Sequence, residues 1–227
     1  MEWTQELVDR FMKVDPAQIG HYVKSGYMNT DIKPVVKSFK VVGPAVTVRM
    51  TGDSNLMLYY AAEHAPKGSV IVVDRGGEPM HACCGDGCAL NAQCQGVAGI
   101  VIDGPACDSA GIERVGLPVF STGLSVLTTT IVEDRKATFN EPIQCGGVVV
   151  NPGDIVFGNA EGVLVMKPEE CEQLLEHAEA GDKLEQEPGG MFDSFRAGKK
   201  MSDFFPIIHD ALKMNGIEDS ADWINRK

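Results

Sequence analysis

Two stretches of the chain are almost wholly apolar, "GSVIVVDRGG" at 68–77 and "VAGIVIDG" at 97–104. A strand with one face in water alternates polar and apolar positions, so continuous runs stopped by glycine predict strands covered on both faces. Upstream, "VVGPAVTVRM" at 41–50 places β-branched residues in near-alternation, another strand signal. Between these runs the period changes. "GDSNLMLYYAAEHAP" reads as a helix closed by Pro66, "GDGCALNAQCQG" as a second helix, and "DSAGIERVG" as a short third one before the strand "LPVFSTG". Strands alternating with helices at this spacing predict a parallel or mixed sheet with helices packed over it, an α/β fold.

The ends read differently. Residues 2–13 have helical periodicity, with Trp3, Leu7, Phe11 and Met12 near one face, and "VDPAQIGHYVKSG" predicts a helix capped by Asp15, begun by Pro16 and ended by Gly26. From 128 to 166, strand runs are separated by Gly, Pro, Asn and Asp turns without a helical stretch, so a β-rich half completes the domain. "KPEECEQLLEHAEAGDKLEQE" then reads as a charged amphipathic helix, interrupted by "PGG" at 188–190 and followed by a helical extension. The economical division is N-terminal helices at 1–30, an α/β domain at 31–180 and a helical extension at 181–227, all in one compact unit.

Composition narrows the function. With 44% hydrophobic residues among 227, the chain can bury a sizeable core. A formal charge of −12 speaks against direct nucleic-acid binding, which draws its affinity from clustered Lys and Arg. The N-terminus has no apolar targeting segment, and no run approaches the roughly 20 apolar residues that cross a bilayer. Seven cysteines, an odd number, suit a reducing compartment, and a cytoplasmic protein is expected. Four of them crowd into "CCGDGCALNAQC" (Cys83, Cys84, Cys88, Cys94), without the paired C-x2-C units of structural zinc sites.

Candidate chemistry gathers at two strand-to-helix junctions. Gly85 and Gly87 flank Asp86, where amides at a helix N-terminus can hold a carboxylate. Asp86 is either part of such a site or an N-cap. Asp108 occupies the equivalent place one β-α unit later, beside Cys107, and it too is either a cap or a ligand. Two carboxylates sharing a crevice repel, and a hard cation such as Mg2+, which takes one or two carboxylates and keeps several waters, relieves this.

The runs at 41–53, 66–77, 85–104, 117–123 and 144–168 closely resemble the RraA-like family, which holds the regulator of ribonuclease activity A and metal-dependent aldolases for 4-hydroxy-4-methyl-2-oxoglutarate and 4-carboxy-4-hydroxy-2-oxoadipate. The resemblance implies a swivelling β/β/α domain with a mixed sheet, assembled as a homo-oligomer (trimer or hexamer) with sites between subunits. It implies a divalent cofactor, Mg2+ or Mn2+, bound at Asp108, and a 2-oxo acid carboxylate held by the backbone of Gly85, Asp86, Gly87 and Cys88, with Asp86 ordering a water. The family's aldolases carry Asp, twenty residues, Arg-Asp, and an acid three positions on. Here the register is kept from Asp86 to Asp108, but Cys107 stands at the arginine position and Gly111 at the acid. Arg75 is then a candidate replacement cation, Cys107 a candidate catalytic thiol with His81 as its spatial partner, and Glu185 or Glu187 a candidate acid from a neighbouring subunit. The expected function is a metal-dependent lyase, aldolase or decarboxylase. The alternative is a non-catalytic oligomeric regulator that binds a partner protein such as a ribonuclease. Methyl transfer lacks a glycine-rich nucleotide fingerprint.

Overall fold

The computed structural model describes residues 3–217. The chain divides into two compact units, Met1–Ala178 and Glu179–Lys227. The first opens with α1 (Gln5–Phe11) and α2 (Pro16–Gly20), then β1 (Lys33–Pro34) and β2 (Val41–Arg49). Next come α3 (Leu56–His64), β3 (Val70–Asp74), α4 (Asp86–Gln95), β4 (Gly99–Asp103), β5 (Pro105–Ala106), α5 (Ser109–Val115) and β6 (Val119–Ser121). The β-rich part follows as β7 (Gly123–Leu124), β8 (Thr138–Phe139), β9 (Ile143–Cys145), β10 (Val148–Val150), β11 (Ile155–Asn159) and β12 (Gly162–Met166). Helix α6 (Cys171–Gln186) begins in the first unit and ends in the second, which also holds α7 (Met191–Arg196), α8 (Met201–Phe204) and α9 (Ile207–Met214).

The main sheet runs β1-β6-β4-β3-β2-β11-β12, with β8 paired to β2. Strands β2, β3, β4 and β6 are parallel, and β1, β8, β11 and β12 join antiparallel, so the sheet is mixed. Both faces are covered, which is why β3 and β4 are apolar at nearly every position. Ile71, Val73, Ile100 and Ile102 pack under α3, α4 and α5, while Val70, Val72 and Val101 face Ile143, Cys145, Val150 and Val156 on the other side. Pro44 is tolerated in β2 because parallel pairing with β3 begins only at Ala45.

One element is shorter than its sequence signals. Helix α2 ends at Gly20 and does not reach Gly26. The edge of β12 takes the backbone instead: Val165 donates to Gly26 O at 2.7 Å, Met28 donates to Val163 O at 2.9 Å, and Tyr27 bridges Leu164. Gly26 has φ +90°, and a Cβ there would lie 2.2 Å from Val165 O, so this crossing needs glycine.

Candidate active site

The loops that end β3 and β4 are tied together. Cys107 N donates to Cys84 O at 2.9 Å and Cys83 N to Pro105 O at 3.4 Å, which brings the N-termini of α4 and α5 to one place. There the two aspartates pack on each other's glycines. A Cβ on Gly85 would fall 2.2 Å from Asp108 Oδ2, and one on Gly111 would fall 2.2 Å from Asp86 Oδ2. Glycine at these positions is the space the carboxylates occupy. Neither aspartate caps its helix: the N-cap of α4 is Gly85, and Asp108, at the N-cap position of α5, makes no side-chain cap bond. Asp108 also holds a left-handed backbone, φ 53° and ψ 41°, a conformation that costs a non-glycine residue about 1–2 kcal/mol. The capping alternatives are thereby removed.

Two adjoining clefts meet at Cys107 and Asp108. One, about 500 Å³, is lined by Asp86, Cys107, Asp108, Gly111, Arg114 and Ser125 among others. The second, about 410 Å³, runs past Gly85, Gly87 and Cys88 to Asn55, Tyr59 and Thr128. The first-turn amides of α4 have no acceptor within the helix and no side-chain cap. Asp108 is exposed, and the hydrogen bond to its carboxylate comes from the Cys107 thiol at 3.4 Å.

That thiol is not a nucleophile in waiting. Burial, then the hydrogen bond to Asp108 and the negative charges of Asp108 and Asp86, push Cys107 up to about 12. It is protonated at neutral pH, and thiolate is the reactive form. Burial likewise raises Tyr59, with the neighbouring sulfurs of Cys88, Cys84 and Cys107 adding to the effect, so its phenol stays neutral. His81 lines neither cleft at Cys107. Its Nδ1 lies 3.1 Å from Glu78 Oε1.

Arg75 lines neither cleft, which corrects the expectation that it meets a substrate. Fully buried, it donates to Gly52 O at 2.7 Å and Ser54 O at 3.2 Å, with Glu78 Oε2 at 3.4 Å. It clamps the turn that leads into α3. Glu78 itself is held at about 2: burial works against this, but the close His81 side chain and hydrogen bonds from the His81 and Met80 amides overcome it. The cation in the cleft is Arg114, which sequence order placed merely within a helix. Counting along α5 puts Arg114 three residues after Gly111 and four after Ala110, which line the same cleft; nothing in the sequence signalled Asn55 or Tyr59. Glu187 lies in the second unit, where Lys183 Nζ is 3.8 Å away, and Glu185 belongs to the same unit.

Among the described residues, no three His, Cys, Asp or Glu groups converge on a metal position. The donors at hand are two hard carboxylates, of which Asp108 is exposed. That set suits Mg2+ or Mn2+ holding most of its shell as water.

The profile of the RraA-like family, described as Aldolase/RraA, matches residues 4–165. The chain belongs to the RraA-like family. A Halalkalibacterium halodurans relative named "Putative 4-hydroxy-4-methyl-2-oxoglutarate aldolase" is 36% identical over 154 residues, covering 66% of this chain and 71% of that protein. Among solved structures, an uncharacterized protein from Pseudomonas syringae superposes with a TM-score of 0.76 at 22% identity, covering 89% of this chain and 94% of the other. Streptomyces coelicolor RraAS2, titled an unusual member of the RNase ES inhibitor RraA family, gives 0.71 at 23% identity, covering 86% and 100%. The family match and the RraAS2 superposition establish the RraA-like fold. Names of aldolase and of inhibitor thus both occur among the chain's relatives. Among the described residues, no helix is long and apolar enough to cross a membrane.

Proposed function

We propose that the chain is a divalent-metal-dependent carbon-carbon lyase acting on a small 2-oxo acid, such as 4-hydroxy-4-methyl-2-oxoglutarate or oxaloacetate. The observation that carries this reading is the reciprocal packing of Asp86 on Gly111 and of Asp108 on Gly85, which leaves two carboxylates at the mouth of one cleft without a capping role. Asp108, with its exposed carboxylate, would hold the cation. When bound, that ion supplies Lewis acidity toward the 2-oxo carbonyl.

The chain's own groups do the rest. Amides of the α4 first turn bind the substrate carboxylate, aided by the positive end of the helix. Arg114 offsets the charge of Asp86 and Asp108, so that an anionic substrate can enter. Asp86 would order a water beside the substrate. Cys107, a neutral thiol, donates weakly to Asp108 and adds no charge. A homo-oligomer in which Glu187 of a second copy faces the cleft belongs to the same proposal.

The test is pyruvate release from both acids with Mg2+ or Mn2+, comparing the wild type with Asp108→Ala. The expected loss in kcat/KM is about a hundredfold or more, the scale of removing one preorganised electrostatic group. Equal, background-level rates overturn the lyase reading. The regulator reading would then stand, supported by the exposed apolar side chains of Leu124, Val126, Leu127 and Ile131 beside the clefts and by the net charge of −12.

A further inference from the structure

The sheet carries a second set of charged strand ends, on the face turned away from α3, α4 and α5. Alternation along each strand fixes which residues share that face. Arg49 continues the row of Ala45 in β2, Asp74 that of Val70 and Val72 in β3, and Asp103 that of Val101 in β4, and these apolar residues cluster with Ile143 and Cys145 of β9. Arg49 is in register with Asp74, and Asp74 with Asp103, so three charges lie side by side across parallel strands. They line a cleft of about 660 Å³ together with Pro142, Ile143 and Val149.

Architecture accounts for one oxygen of each carboxylate and not for the other. Asp74 Oδ1 accepts from Gly76 N at 2.7 Å, and Asp103 Oδ2 accepts from Gly146 N at 2.8 Å, which fastens the turn after β9 to the end of β4. Asp74 Oδ2 and Asp103 Oδ1 accept no hydrogen bond from the described residues, and neither oxygen is sealed from the cleft. Asp74 is only 8% exposed, and Arg49 Nε stands 3.8 Å from its Oδ2, too far for a hydrogen bond. Cys145 adds no charge, because burial and then the charges of Asp103 and Asp74 push its thiol well up. Like charges directly opposite on paired strands destabilise a sheet, and here two carboxylates share one guanidinium.

This pattern of charge selects a ligand class. A divalent cation would meet the guanidinium, and among the described residues no three His, Cys, Asp or Glu groups converge on a metal position. A plain anion would meet two carboxylates, and a plain amine would leave Arg49 unanswered. One ammonium nitrogen, about 2.8 Å from each acceptor, can span oxygens on strands about 4.8 Å apart. A carboxylate on the same molecule then pairs with the half-exposed guanidinium of Arg49, a charge-assisted contact. Pro142, Ile143 and Val149 leave an apolar wall for what remains.

We propose that this cleft binds a free α-amino acid with an apolar side chain, its ammonium on the open oxygens of Asp74 and Asp103 and its carboxylate on Arg49. The site lies on the opposite face of the sheet from the proposed lyase cleft and does not depend on that reading.

The experiment is metal-free calorimetry with L-leucine, with isocaproate, which lacks the amine, and with isoamylamine, which lacks the carboxylate. Wild type is expected to bind leucine at least about tenfold more tightly than either analogue. Arg49→Gln and Asp103→Asn are expected to lose that preference, while Asp108→Ala, altered on the other face, keeps it. Ligand-free Asp103→Asn is expected to melt no lower than wild type, since its amide oxygen still accepts from Gly146 N and one of two like charges is gone. Should that variant fail to fold, Arg49→Gln, at an exposed position, carries the test. A wild type that binds leucine no better than the analogues, or a preference that survives the cleft variants or disappears in Asp108→Ala, overturns the proposal.

Discussion

Arg75 and Asp108 stand at the ends of neighbouring parallel strands, one just past β3 and the other just past β4 and β5, yet the protein treats them in opposite ways. Arg75 is wholly buried and its terminal nitrogens are directed at two carbonyls and a carboxylate. Asp108 is exposed and receives one long contact from a thiol. The first charge is consumed in holding a turn. The second remains available, on a backbone conformation that aspartate adopts only at a cost. The difference separates charge used for architecture from charge left for a ligand, which burial alone does not reveal, since Asn55 is buried and still incompletely bonded.

The largest test of this contrast is Arg75→Met. It strips the partners from Gly52 O and Ser54 O, and a loss of about 3 kcal/mol in urea-unfolding stability is expected. Gly85→Ala comes next. Its Cβ would lie 2.2 Å from Asp108 Oδ2 and 2.9 Å from Cys107 Sγ, so a loss of about 1–3 kcal/mol is expected together with a weakened Mn2+ response by paramagnetic relaxation. Asp108→Asn should leave stability within about 0.5 kcal/mol, because asparagine tolerates the left-handed backbone, while abolishing that Mn2+ response.

Smaller effects concern protons. Glu78 is lowered from 4.5 to about 2, so the folded state holds its carboxylate more tightly ionised than the unfolded chain does. Its contribution to stability is complete above about pH 4.5 and is lost as pH falls toward 2, and Glu78→Gln should flatten the acid limb of the stability profile in that window. For Cys107, held at about 12, iodoacetamide labelling near pH 7.5 should lag behind exposed Cys94 and accelerate only in strong alkali, read by mass spectrometry.

The strands and crossover helices were legible because apolar runs and capping residues are local signals. "GSVIVVD" became β3, "GIVID" became β4, and Pro66 and Gly96 mark where α3 and α4 stop. The spacing of Asp86 and Asp108 picked out two carboxylates that the fold brings to one cleft. What escaped was set by tertiary partners. The fate of Arg75 depends on carbonyls twenty-odd residues upstream, and the state of Cys107 on two carboxylates. Helix α2 was overestimated because its helical signals cannot report that the edge of β12 competes for the backbone at Gly26.

Gly111 and Asp86 share one seat. With the Asp86 carboxylate resting where a side chain at 111 would begin, any side chain placed there obliges that carboxylate to turn aside. A Gly111→Glu change should be tolerated better in an Asp86→Gly background than by itself, a coupling in which the second substitution repairs part of the first.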